Sequence, residues 1–332
     1  MNTNSRDYSL DYIKGILIYL VVLGHCIYWR NNENAICTAT AEYIYSFHMP
    51  FFIFLSGYFF SKNKATNFSN LIKRQTRRLL VPHFFFNLVM IIPIFCFWNI
   101  FNYYITKEGM GHITLKSIYN YLTMFWYLWC IFFSSIIVNF IYLKTKNPVK
   151  WMFVVAIIFF LFRYITPTKV FFIHQQMSNQ FIFFVFGIWL YDHKKFIQDS
   201  KKSFLTAFVF YSFCLTCIFS FQALYESYIF NFITATGGII FHYYFYKYFF
   251  KHKILKRSFL YMSKYTLGIY IYHFPILKCL VETKLYNKII DNIYISSYYR
   301  HRYGRNYYHH NLIFNIMDEQ NCIFKEICIR KI

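Results

Sequence analysis

Nine apolar runs follow one another between Ile13 and Glu282, and they constrain the fold more than any other feature of the sequence. They fall at Ile13–Trp29, Tyr43–Phe60, Leu79–Tyr104, Tyr121–Leu143, Trp151–Ile165, Ser178–Tyr191, Phe204–Gln222, Tyr228–Tyr246 and Tyr265–Glu282. A membrane-spanning helix needs roughly 17–25 apolar residues. The fifth and sixth runs are short, and their connection, "RYITPTKVFFIHQQ", is the least defined boundary. In lipid every backbone polar group must be satisfied within the structure, which leaves helices as the fold for successive runs of this length. The expectation is an all-α integral membrane protein, a polytopic helical bundle.

Composition agrees. The 332 residues are 58% hydrophobic, 25% aromatic and only 14% charged, more apolar side chain than a soluble domain of this length needs for its core. A net charge of +22 would suggest nucleic acid in a soluble chain. Here the basic residues sit in short gaps between apolar runs, where they set orientation, so a nucleic-acid partner is not expected. About a dozen polar residues precede the first run, which has no small-residue cleavage site and is read as retained rather than as a removable signal peptide.

Cytoplasmic loops are enriched in Lys and Arg. Even-numbered loops hold clusters such as Lys73, Arg74, Arg77 and Arg78; Lys144, Lys146 and Lys150; Lys194, Lys195, Lys201 and Lys202; and Lys253, Lys256 and Arg257. Odd loops one to seven carry only Arg30, Lys107, Lys116, Arg163 and Lys169. This alternation supports nine spans and places the N-terminus in the cytoplasm of a cell with the protein in its inner (plasma) membrane.

"LDYIKGILIYLVVLGH" puts Asp11 and Lys14 at the cytoplasmic end of the first span and His25 in its outer half. At about 100° and 1.5 Å per residue, Asp11 and His25 share a helix face but stand roughly 21 Å apart. The second run, "YIYSFHMPFFIFLSGYFF", returns with His48 at a depth similar to that of His25. A single intramembrane histidine can serve as an interhelical hydrogen-bond partner. Two at matched depth favour a polar pathway, since ionisable groups in a membrane are costly. Pro50 removes a backbone donor and can open the helix beside His48. Ser56 and Gly57 form a small pair that suits close helix packing better than it suits a nucleophilic serine.

"LIKRQTRRLLVPHFFF" compresses Lys73, Arg74, Arg77 and Arg78 into six residues at the cytoplasmic mouth of the third span. Anchoring by the positive-inside rule explains any one of these charges and explains four less well. Guanidinium forks match phosphate oxygens bidentately, so the cluster suits a phosphorylated cytosolic donor, with Asp11 positioning one arginine by an ion pair.

These stretches, together with "YTLGIYIYHFPI" near Tyr265, carry a resemblance. From Arg6 to about Glu282 the chain resembles the acyltransferase 3 family of membrane-bound acyltransferases, especially bacterial sugar O-acetylases of the fucose 4-O-acetylase type. The resemblance implies ten spans and transfer of acetyl from cytoplasmic acetyl-CoA to a carbohydrate acceptor, often at the far face of the membrane. It places the family's essential histidine on His25, its acidic partner on Asp11, its Ser-Gly pair on Ser56-Gly57 and its paired arginines on Arg74 and Arg77. Lys14 stands where many members have Arg, with the charge retained.

The implied assignment makes His25 and Asp11 catalytic, and gives Arg74, Arg77, Arg78 and Lys14 to the acetyl-CoA donor. His48, Ser56, Trp126 and Tyr127 go to the acceptor. Neutral His25 would take the proton of a sugar hydroxyl attacking the thioester, or would itself carry the acetyl group; both routes stay open. Trp126 and Tyr127 in "MFWYLWC" can stack on a sugar ring, or belong to an interfacial aromatic girdle. Cys214 and Cys217 form a C-x-x-C inside an apolar run with no second pair, so no metal is expected. His273 reads as structural or substrate-facing. A transporter or flippase of a lipid-linked sugar shares the spans and basic loops, but needs discontinuous helices in matching halves, which are not evident. A structural scaffold would not need the His25 and Arg74/Arg77 constellation. Neither the acceptor glycan nor the oligomeric state is legible.

After Glu282 the pattern changes. "SSYYRHRYGRNYYHHNLIFNIMDEQN" stands where a tenth span is expected and is too polar to cross a bilayer, each central Arg costing roughly 2.5–3.5 kcal/mol. Tyr, His and Asn codons end in A-pyrimidine, so reading them one nucleotide later yields Ile, Met or Thr codons. As written it reads as a basic tail whose histidines could bind a metal, whereas the genetic code points to a frameshifted tenth span; the membrane domain is expected to cover 1–282 and the atypical tail 283–332.

Overall fold

The computed structural model of the protein describes residues 8–30, 35–62, 67–86, 88, 125–165, 172–193, 201–221, 223–224, 227–249 and 253–282. Among them the chain is helical, with no strand. In chain order the helices are α1 (Tyr8–Arg30), α2 (Ala35–Tyr45), α3 (His48–Lys62), α4 (Phe68–Gln75), a π-helical turn (Thr76–Leu80), α5 (Val81–Phe86) and α6 (Trp126–Lys144). They continue as α7 (Pro148–Ile165), α8 (Phe172–His193), α9 (Lys201–Ser220), α10 (Tyr228–Phe249), α11 (Lys253–Lys264) and α12 (Thr266–Glu282). Among the described residues, segments of α1 (Leu10–Ile27), α6 and α9 are long and apolar enough to cross a membrane. Most of the expected third span and the whole tail from 283 lie outside the described residues.

The chain divides into two compact units. The first comprises Met1–Leu17 and Tyr45–Lys264, and its centre is the pairing of α3 with α8. α3 is apolar on every side, and Phe51, Ile53 and Leu55 are fully buried. A helix apolar all round belongs in the interior of a membrane bundle. Between such helices the lipid competes for apolar contact, so close backbone approach and dispersion decide the association. Gly57 supplies that approach against the Phe184 carbonyl, and Gly187 supplies it against the Phe54 carbonyl and the Tyr58 amide. At either glycine a Cβ would fall inside the neighbouring backbone. Gly15 on α1 meets the Phe259 carbonyl of α11 in the same way, beside the hydrogen bond from the Tyr12 hydroxyl to the Tyr246 carbonyl.

α9 shows the opposite pattern. Leu205, Val209 and Phe213 are exposed at i, i+4 and i+8, while Ala207, Tyr211, Cys214 and Ile218 are buried. The exposed stripe is an apolar face of the kind that lies against lipid or protein. Near the end of α7, Arg163 is only 5% exposed, hydrogen-bonded through Nη2 to the Tyr228 hydroxyl and set 4.2 Å over the Tyr228 ring. The guanidinium thus keeps an aromatic and a hydroxyl partner where solvent is excluded.

The second apolar run is not one continuous helix. It breaks at Ser46–Phe47, and the helix resumes at His48. Pro50 is then the third residue of α3, within the first turn, where a missing backbone donor leaves no helical hydrogen bond unmade. The opening expected beside His48 therefore lies on its N-terminal side. Two helices brace the break: the Tyr211 hydroxyl of α9 is 2.7 Å from Ser46 Oγ, and His242 of α10 stacks on Phe47 at 3.6 Å with rings 10° apart.

The second unit, Ile18–Ile44 and Tyr265–Ile332, contains the C-terminal part of α1, nearly all of α2 and all of α12. Here His25 of α1 meets α12.

Candidate active site

The basic motif folds into one surface. Asn67 caps α4 by accepting the Ser69 amide at 2.9 Å. Leu71, Gln75 and Leu79 recur every four residues and face inward, which turns Asn70, Lys73, Arg74, Arg77 and Arg78 outward at the same helical period. Arg77 and Arg78 sit in the π-helical turn, a wide turn rare in proteins and frequent at functional sites. The five outward residues line an open depression of about 450 Å³. Four of its five lining side chains are cationic and none is acidic, a ready setting for an anion such as phosphate.

Neighbouring elements extend this surface within the first unit. The π turn and α4 pack on α6. Arg78 lies within electrostatic reach of the Tyr127 phenol near the start of α6. Tyr127 in turn is 3.0 Å from Ser56 Oγ, and its ring meets Phe52 edge-on at 5.6 Å. Ser56 also donates to the Phe52 carbonyl at 2.9 Å. The structure therefore joins Ser56 and Tyr127, two residues from separate motifs, and places Arg78 near them. Trp126 is half-buried beside Tyr127. His83, fully buried, is ringed by Phe84, Phe125 and Trp129 at 5.3–5.7 Å; its packing among aromatics was not evident from the sequence.

Other expected residues are placed as follows. Asp11 and Lys14 are half-buried in the first part of α1, near Tyr12, whose ring lies 5.4 Å from Lys256 Nζ of α11. His48 is 2% exposed at the start of α3, its ring 5.2 Å from Tyr45. Gly57 packs helices, as the Ser-Gly pair suggested. Cys214 and Cys217 are free thiols, and no cluster of three or more His, Cys, Asp or Glu that could hold a metal occurs among the described residues.

In the second unit, His25 is half-buried and its ring centroid lies 5.2 Å from that of His273, the planes tilted by 33°. Phe274 closes on His25 edge-on at 6.4 Å. His273 Nδ1 is 2.7 Å from the Tyr270 carbonyl and 3.2 Å from that of Ile269. No local pattern pairs His25 with His273, because they belong to the first and the last apolar runs of the chain, and the spacing within "YIYHFPI" could not show it.

Long apolar helices, with a cationic depression and the pair of His25 and His273 among the described residues, define a helical membrane protein. Residues 7–295 match the acyltransferase domain of the acyltransferase 3 family, and the chain belongs to that family. It is similar to nodulation protein NolL of Sinorhizobium fredii (strain NBRC 101917 / NGR234), 32% identical over 139 residues, or 40% of this chain and 36% of the relative. NolL of Mesorhizobium japonicum (strain LMG 29417 / CECT 9101 / MAFF 303099) is 28% identical over 142 residues, 41% of this chain and 36% of the relative. The matched region thus spans about a third of each relative. No solved structure matches.

Proposed function

We propose that the protein is a polytopic O-acetyltransferase of the inner (plasma) membrane, with a cytoplasmic N-terminus, nine readable spans of an expected ten, and a carbohydrate acceptor at or near the cell surface. Family membership supports acyl transfer. The observation that carries the donor assignment is the cationic depression formed by Lys73, Arg74, Arg77 and Arg78. In this reading the arginines grip the phosphates of acetyl-CoA by bidentate hydrogen bonds and Lys14 adds charge at the same membrane face. Asp11 orients the cationic groups.

The chemistry is assigned to His25. Its neutral imidazole removes the proton from an acceptor hydroxyl as that oxygen bonds to the acetyl carbon; the carbon–sulfur bond breaks, and the departing thiolate recovers the proton from the imidazolium. General-base assistance of this kind contributes typically about 10²–10⁴-fold. Transfer through an acetylated His25 uses the same nitrogen as nucleophile. His48, Ser56, Trp126 and Tyr127 are assigned to the acceptor, the two aromatics offering faces against which a sugar ring packs.

The test uses membranes containing the full-length protein, radiolabelled acetyl-CoA and extracted cell-surface glycans. Label should enter base-labile esters on carbohydrate with the wild type and not with His25→Ala at equal protein level. Absence of ester formation across all glycan fractions, or full activity of His25→Ala, would overturn the assignment.

A further inference from the structure

Two observations on α12 set His273 apart from a packing residue. It is 8% exposed, and its Nε2 is buried with no hydrogen-bond partner among the described residues. Its Nδ1 faces the Tyr270 and Ile269 carbonyls, and a carbonyl oxygen can only accept. Nδ1 therefore carries the proton of the neutral ring, and Nε2 presents a bare lone pair. Leaving such a buried acceptor unpaired costs roughly 1–3 kcal/mol. A helix that needed only bulk at this position could hold Leu or Phe at no such cost.

The titratable ring nearest His273 in this unit is that of His25. At a centroid separation of 5.2 Å, two imidazoles whose nitrogens turn toward each other come within hydrogen-bond range. A neutral imidazole has one N–H, and an imidazolium has two. When His25 takes a proton on one nitrogen, its other nitrogen carries an N–H that an acceptor stabilises. Tyr270 also faces His273, with ring centroids 5.8 Å apart, and helps define the ring's position. Phe274, edge-on to His25, limits how that ring can turn.

We propose that His273 is a positioning residue for the acyl-transfer reaction: its Nε2 accepts the N–H of His25, selecting the tautomer that leaves the opposite nitrogen free to meet the acceptor hydroxyl. The inference rests on the assignment of His25 as the base. The bond strengthens as His25 becomes cationic, since a charged donor makes the stronger hydrogen bond. The proton itself does not pass to His273; it stays on His25 until the thiolate reclaims it. The lone pair left unpaired at rest is the one used during turnover. A base held in the correct tautomer by a second group is a recurring arrangement, served elsewhere by a carboxylate. Here a neutral ring does it without adding a negative charge to the membrane interior.

The experiment compares wild type, His273→Ala, His273→Leu, His273→Gln and His25→Ala in membranes, with protein quantified by an epitope tag. The Gln side-chain oxygen reaches about as far as Nε2 and accepts; Leu fills space and does not. His273→Ala and His273→Leu should lose roughly 10²-fold in kcat with the acetyl-CoA KM unchanged, and His273→Gln should recover most of that loss. Rescue by Leu equal to that by Gln, unaltered kcat in His273→Ala, or an effect confined to the acceptor KM would overturn the proposal. Full activity of His25→Ala would instead remove the reading on which it rests. Solid-state NMR of ¹⁵N-histidine-labelled wild type in bilayers is independent of how the variants fold. His273 should show a protonated Nδ1 and an unprotonated Nε2, and the opposite tautomer would overturn the inference.

Discussion

Ser56 Oγ on α3 and the Tyr127 hydroxyl on α6 lie 3.0 Å apart, and Ser56 simultaneously bonds the Phe52 carbonyl at 2.9 Å. The carbonyl consumes the only serine proton, so Tyr127 is the donor between the two helices. Ser56 therefore offers Tyr127 an acceptor and has no hydroxyl proton left to give to a base, an arrangement unlike that of an activated nucleophile. Ser56→Ala should retain measurable acyl transfer. In detergent, Ser56→Ala and Tyr127→Phe should each cost about 0.5–1.5 kcal/mol. The double variant should cost less than their sum, because both remove the same bond. Additive losses, or a serine variant as inactive as His25→Ala, would contradict this account.

The glycines divide by environment. Gly57 and Gly187 each abut neighbouring backbone, whereas among the described residues no heavy atom beyond its own helix backbone lies within 4 Å of the place a Cβ on Gly268 would occupy. Gly57→Ala and Gly187→Ala must push α3 and α8 apart, at an expected cost of about 1–3 kcal/mol each. Gly268→Ala meets nothing and should be neutral or gain roughly 0.5–1 kcal/mol from helix propensity. Thermal melts of the three purified variants compare them directly; equal melting temperatures would refute the packing described for α3 and α8.

Arg74 and Arg77 share the depression with Lys73, Arg78 and Asn70. Replacing either arginine by Ala should raise the acetyl-CoA KM by roughly tenfold or more, while changing the acceptor KM little. Because the depression is open, the donor KM should also rise with ionic strength as exposed charges are screened. A donor KM unchanged in both variants would reduce the cluster to an orientation signal.

His25 and His48 should behave differently. His25→Ala should abolish transfer with the protein still in the membrane, while His48→Gln should keep partial activity, its role being to support the acceptor. Ester formation measured on equal amounts of each variant distinguishes them, and a total loss in folded His48→Gln would place His48 in the chemical step.

The family match ends at residue 295, inside the 283–332 tail and just ahead of Tyr298, where the stretch expected to be displaced begins. We expect resequencing of the 3′ end of the gene, translated in the frame one nucleotide later, to reveal an apolar stretch rich in Ile, Val, Ala and Met in place of "YYRHRYGRNYYHHN". Stops, or abundant Asp, Glu and Thr, in that frame would rule out a displaced tenth span. A frame-restored gene should then give more acyl transfer than the present one.

Much of this protein is written in local pattern. Apolar runs longer than a soluble core helix needs dictate helices and a membrane, because backbone groups in lipid have no other way to be satisfied. The cationic face is in part equally local: side chains three residues apart share a face in an α-helix, so a helical reading of "RQTR" already set Arg74 and Arg77 on one side. Other features depended on partners distant in the chain. The break at Ser46–Phe47 is held by Tyr211 and His242, and Pro50 alone did not say on which side of His48 the helix would open. The π-helical turn that carries Arg77 and Arg78 packs on α6 and has no marker in "TRRLL". The pairing of His25 with His273 required α12 to return to the C-terminal part of α1, a meeting set by helix packing. Sequence periodicity fixes which face a residue occupies; only the packed bundle decides which residue from elsewhere in the chain stands opposite it.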